Sequence, residues 1–183
     1  ARVGLYRGPI GSALRRFKYG QDELLGRELA ERLADAVRRA SWRERVEVAT
    51  WVPTVWWRRV MKPFSPPMLL ARRLGKRIGL PVLPLLRRTE GGRHQIGLSY
   101  AQRIENVRGK FKPHWAWRLC NARVLLVDDV KTTGATLHEC ARMLRAAGAV
   151  EVYGAVVAVA GWDPQTGITF DRVPVEPPLP SGT

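Results

Sequence analysis

Two adjacent acids, Asp128 and Asp129, close an apolar run at residues 124–127, and Lys131, Thr132, Thr133, Gly134, Ala135 and Thr136 follow them. A run of this kind, ending at Val127, reads as a buried strand. Thr136 and Glu139 have capping-box spacing, which predicts a helix that starts at Thr136 and ends near Gly148. The residues between form a short loop at the carboxyl edge of a sheet, where ligands bind in open α/β folds. Successive backbone N–H groups, two hydroxyls and the positive end of a helix dipole make that loop an anion cradle. Gly134 has no side chain to block a phosphate that approaches the backbone. The paired carboxylates stand beside the cradle, placed to accept hydrogen bonds from vicinal hydroxyls. A ribose phosphate meets both demands. Neither the GxxxxGKS/T phosphate loop nor a GxGxxG turn after a strand occurs in the sequence.

The elements that must position these residues alternate along the chain. Between residues 21 and 39, Leu24, Leu25, Leu29, Leu33, Ala36 and Val37 recur at helical spacing, so an amphipathic scaffold helix is expected there. Residues 47–52 read as a strand stopped by Pro53. Ser65 as cap and Pro66 at the first helical position start a second helix, which runs to about Gly79. Residues 82–86 read as another strand, and residues 87–97, with TEGGRHQIG, as a mobile loop. Ser99 and Gln102 place residues 100–107 on a helix. Residues 152–160 supply a further buried strand. Such alternation implies βαβ connections and a mainly parallel sheet with helices on both faces. We expect one domain over residues 1–160 and a Pro/Gly-rich tail over 161–183, extended or disordered.

The chain has 183 residues and a formal net charge of +15, from 31 Lys and Arg against 16 Asp and Glu, so an anionic partner is expected. No apolar run is long enough to span a bilayer and the N-terminus has no signal-peptide order, so a cytoplasmic location is expected. Cys120 and Cys140 form no CxxC pair and read as buried small apolar residues. His94, His114 and His138 show no metal-ligand spacing. Trp56 and Trp57 beside Arg58 and Arg59 form an aromatic-basic cluster that could stack on the bases of single-stranded DNA. The same tryptophans could instead pack beneath their loop, which is the preferred reading.

The segment VLLVDDVKTTGAT resembles the thirteen-residue phosphoribosyl pyrophosphate signature of type I phosphoribosyltransferases. More of the chain is similar to one branch of that superfamily, the ComF/GntX group associated with competence and DNA uptake. The similarity takes in the segment 6–20 with its Lys18-Tyr19 pair, Val52-Pro53, Arg58, residues 62–66, and Thr89, Gln95, Leu98, Arg103, Asn106 and Phe111 in order. Where the group reads RGFNQ this chain reads KPFSP, which keeps Phe64 and substitutes Lys62 for arginine, retaining charge without bidentate geometry.

The resemblance implies a type I phosphoribosyltransferase-like α/β fold that binds phosphoribosyl pyrophosphate or a nucleotide. A nitrogenous acceptor would displace pyrophosphate from the anomeric carbon, with magnesium bound through the substrate. Asp128 and Asp129 would be the catalytic acids, and Lys131, Thr132, Thr133, Gly134, Ala135 and Thr136 would join them in holding the ribose 5-phosphate. Lys131 stands where the superfamily varies, so its charge either assists the phosphate or, as preferred, points to solvent. Arg58, Arg59 and Lys62 are candidates for the pyrophosphate, and Arg87, Arg88, Arg93 and Gln95 for a loop that closes over the substrate. The alternative is a non-catalytic protein of DNA uptake that binds nucleotide or single-stranded DNA.

Overall fold

The computed structural model describes residues 1–20, 22–53, 65–89, 107–114 and 119–160. Four strands, β1 (Arg2–Leu5), β2 (Val48–Trp51), β5 (Arg123–Lys131) and β6 (Glu151–Val159), form a wholly parallel sheet in the order β1-β6-β5-β2. Two short strands, β3 (Leu86–Arg88) and β4 (Phe111–Pro113), pair antiparallel beside it. The helices are α1 (Gly8–Gly20), α2 (Glu23–Arg38), α3 (Pro66–Ile78) and α4 (Ala135–Ala146).

The pleat of β5 sorts the core into two halves, because successive side chains of a strand point to opposite faces. Leu125 and Val127 pack with α1, α2 and α3 through Phe17, Leu33, Leu70 and Leu74. Val124 and Leu126 pack with α4 and the β3–β4 pair through Leu137, Leu144, Leu86 and Phe111. The result is the expected α/β architecture, a parallel sheet with helices on both faces. Connections leave β2 and β5 in opposite directions. From β2 the chain returns through α3 to the outer edge, where Val82 makes a parallel bridge with Ala49, whereas from β5 it crosses through α4 to β6. The connections thus diverge beyond the carboxyl ends of β2 and β5, the position where ligands bind in such sheets.

Several sequence expectations are corrected here. The strand expected at 82–86 is displaced: Val82 contributes only its single bridge, and the strand proper is β3, which carries Arg87 and Arg88. Those two arginines therefore lie in a strand and not in the loop expected from residue 87 onward. Leu24 is 75% exposed although its spacing fits the apolar face of α2, while Gly26 and Ala30 are buried there instead. Ser65 precedes α3 with extended backbone but caps nothing, and its Oγ is buried without a hydrogen-bond partner. Pro67 removes one of the two N–H donors that a cap at Ser65 would meet, and Ser65 Oγ makes no bond to the other. Cys140 is buried as expected, but Cys120 is exposed. Gln21, the helix expected at 100–107 apart from Val107, and the tail at 161–183 lie outside the described residues.

Candidate functional site

β5 does not stop at Val127 but continues through both acids to Lys131, and α4 begins at Ala135, one residue before the expected start. Only Thr132, Thr133 and Gly134 separate strand from helix. The extension follows from pairing: Asp128, Val130 and Lys131 stay in register with Val156, Ala158 and Val159 of β6. Gly134 is the N-cap of α4 with φ of 82°, a left-handed conformation that glycine adopts without strain, and no side chain caps the helix. Thr133 Oγ1 accepts from Ala135 N at 3.2 Å, which folds the turn back on itself. The first N–H groups of a helix have no partner within it, so this turn presents donors at the positive end of α4.

Both acids are buried, and each carboxylate turns one oxygen onto the backbone ahead. Asp128 Oδ1 accepts from Asp129 N at 2.9 Å, and Asp129 Oδ1 accepts from Val130 N at 2.8 Å. Burial, and then the charge of Asp129, push the Asp128 carboxyl well above its ordinary range. The second oxygen of Asp129 lies 2.6 Å from Lys18 Nζ, at the last turn of α1. That contact is an ion pair, and no donor meets this oxygen with hydrogen-bond alignment. Burial opposes the Lys18 ammonium, but the Asp129 carboxylate outweighs it and the net displacement is upward. Lys131 is buried and not solvent-facing, and burial followed by the charge of Arg2 lowers its ammonium below the ordinary range.

The expected Thr136–Glu139 capping box is absent. Thr136 lies inside α4, and Glu139 instead accepts from Gly109 N at 2.8 Å and from Arg142 Nε and Nη2, both at 2.9 Å. Glu139 thereby joins α4 to the turn that leads into β4. Beside that turn Thr89 N donates to the Lys110 carbonyl at 2.9 Å, so β3 and β4 are clasped where they meet. Arg88 lies over the Phe111 ring at 5.4 Å. Arg58, Arg59, Lys62, Arg93, Gln95, Trp56 and Trp57 lie outside the described residues; of the chain before them, Val52 N donates to the Val127 carbonyl at 2.9 Å.

The structure thus unites Asp128, Asp129 and residues 131–136 at one sheet edge, and adds Lys18 and Glu139, to which residue chemistry alone assigned no such roles. Lys18 carried a signal in the Lys-Tyr pair. Among the described residues no group of three or more His, Cys, Asp or Glu could hold a metal ion, and no helix is long and apolar enough to cross a membrane.

No family model matches the chain. Competence protein F of Haemophilus influenzae is 31% identical over 159 residues, which cover 82% of this chain and 68% of that protein. The chain belongs to the ComF family. Solved structures similar to this ComF chain include the glutamine phosphoribosylpyrophosphate amidotransferase of B. subtilis, 25% identical, covering 70% of this chain and 25% of that one, TM-score 0.47. The chain thus spans about a quarter of that enzyme's length. Others are the purine phosphoribosyltransferase of Pyrococcus horikoshii, 21% identical over 75% of this chain and 74% of that one, TM-score 0.46, and the adenine phosphoribosyltransferase of Thermoanaerobacter pseudethanolicus, 15% identical over 76% and 82%, TM-score 0.48. ComF membership and the parallel sheet agree with the phosphoribosyltransferase-like α/β fold expected from residues 124–136.

Proposed function

We propose that this ComF chain binds phosphoribosyl pyrophosphate, or the ribose 5-phosphate end of a nucleotide, and transfers the phosphoribosyl group to a nitrogenous acceptor. The observation that carries this reading is the uncapped start of α4 at Gly134, which stands beside two buried carboxylates at the carboxyl end of β5. Donors suited to a phosphate and acceptors suited to a diol are what one ribose 5-phosphate requires together. In the transfer, the acceptor nitrogen's lone pair forms the bond to the anomeric carbon while the carbon–oxygen bond to pyrophosphate breaks. The acceptor's proton leaves to solvent, and the acids hold the ring hydroxyls as positive charge develops.

Magnesium fits this arrangement only through the ligand. Two carboxylates are too few to cage the ion, and Lys18 already occupies the second oxygen of Asp129. Bound through phosphate oxygens, it would neutralise the leaving pyrophosphate. The candidate cations for the same task are Arg58, Arg59 and Lys62, which follow β2 in the sequence.

Calorimetric titration with phosphoribosyl pyrophosphate and magnesium, repeated with ribose 5-phosphate, tests the reading. Both should bind, the former more tightly, and Asp128→Asn should weaken both by about tenfold or more. Failure of either ligand to bind overturns the cradle. Equal affinity for the two, with no pyrophosphate released in the presence of a panel of bases, overturns the transfer and leaves binding alone.

A further inference from the structure

We infer that Lys18 is a positioning residue of this site, which holds the Asp129 carboxylate by its second oxygen and so aims the acid at the ribose diol. The inference rests on the ribose-phosphate reading above. Asp129 is tied at both ends: Val130 N donates to Oδ1 at 2.8 Å, and Lys18 Nζ stands 2.6 Å from Oδ2, an oxygen sealed from solvent. A carboxylate oxygen has two lone-pair directions, so fixing one on each oxygen decides where the remaining pair point. The root of Lys18 is itself immobilised. Leu14 and Phe17 of α1 are buried, and Phe17 packs so closely on Gly26 of α2 that a methyl group there would lie 2.5 Å from its ring.

Stability alone does not account for the pair. The Lys18 side chain is 41% exposed while Asp129 is buried, so the ammonium chiefly offsets the cost of burying the acid and adds little net stability. Placing two carboxylates side by side in a buried strand end opposes folding, through desolvation and mutual repulsion. Such an arrangement, with one ammonium brought to one acid, is characteristic of sites that must keep charge ready for a ligand. The basic residues nearby have other partners: Arg16 pairs with Asp22 at 3.0 Å and Arg73 with Glu23 at 3.8 Å. Lys18 alone of this group faces the carboxyl edge of β5, and Asp128 also exerts its charge on it.

The test is a double-mutant cycle on the affinity for ribose 5-phosphate, read by calorimetry in wild type, K18M, K18R, D129N and the K18M/D129N pair. K18M should weaken binding by about tenfold, and K18R should recover most of that loss because the charge returns. In the D129N background K18M should change affinity by less than about twofold, because Lys18 acts through the acid. A merely structural role for α1 would show the same loss in both backgrounds, and that result, or wild-type affinity in K18M, overturns the inference. If K18M unfolds, K18Q supplies the same comparison. Wild type that binds no ribose 5-phosphate sinks the site reading and this inference together, whereas binding that is indifferent to Lys18 sinks the inference alone.

Discussion

Glu139→Ala should destabilise the protein by about 2 kcal/mol, and Glu139→Gln by less than about 1 kcal/mol. The figures follow from the three contacts of this buried carboxylate. Its bond from Gly109 N, at 2.8 Å, is charge-assisted and spans two elements, which places it at about 1.5–3 kcal/mol. The paired contacts to Arg142 add about 0.5 kcal/mol or less, because that side chain is 57% exposed and the pair lies within one helix. Glutamine retains an acceptor for Gly109 but loses the charge and, with an NH2 group in place of Oε2, the bond from the exposed Arg142 Nε. For a chain of this length the alanine variant should melt about 5 °C lower. Arg142's hydrogen bonds, against burial and aided by Gly109 N–H, hold the Glu139 carboxyl below its ordinary range. Its contribution is therefore present above the unfolded value of about 4.3 and is lost as pH falls through the lower folded value. The gap between wild type and alanine variant, followed by thermal unfolding from pH 7 to pH 3, should close on the acid side. An alanine variant within about 0.5 kcal/mol of wild type, or a glutamine variant as unstable as alanine, would refute the assignment of Glu139 as the clasp between α4 and the β4 turn.

Two further substitutions probe the strand and the turn at either end of α4. Because burial and then Asp129 hold the Asp128 carboxyl well above its ordinary range, its charge costs stability as pH rises past the unfolded value of about 3.9. Asp128→Asn should therefore raise the melting temperature at pH 7 with a gain that shrinks toward pH 4, even as ribose 5-phosphate affinity is lost, and an asparagine variant less stable than wild type at pH 7 would contradict this. Gly148→Ala should lower the urea midpoint by the equivalent of roughly 2–3 kcal/mol, since Gly148 has φ of 104° and a methyl group there would lie 2.7 Å from the Leu119 carbonyl oxygen. An unchanged midpoint would contradict that geometry.

What was legible in the sequence was whatever a short window decides. The apolar run before Asp128 announces a central strand, and the periodicity of residues 21–39 announces α2, because burial on one side imposes a period on the chain. What escaped was decided by partners distant in sequence. Glu139 has capping spacing from Thr136, but a tertiary donor, Gly109 N, claims it. Asp128 and Asp129 read as loop residues because they are charged, yet the ladder to β6 holds them in the strand. Arg87 and Arg88 read as loop because they adjoin the glycine-containing, aperiodic segment after them, and a strand of three residues is too short to show a period. Lys18 has no local feature that ties it to Asp129; only its place in the family's Lys-Tyr pair drew notice.

The alternation of β5 has a consequence for how the site is held. Asp129 points toward α1, where Lys18 meets it, whereas Asp128 influences Cys140 on α4, on the opposite side of the sheet. Neighbours in sequence, the two acids therefore face different layers of the molecule. A slight slide of the α1–α3 layer over the strands would carry the Lys18 ammonium away from Asp129 and, because its charge also reaches Asp128, would disturb both acids at once. A ribose bound as proposed would therefore report on the alignment of the layers as well as on the chemistry between them.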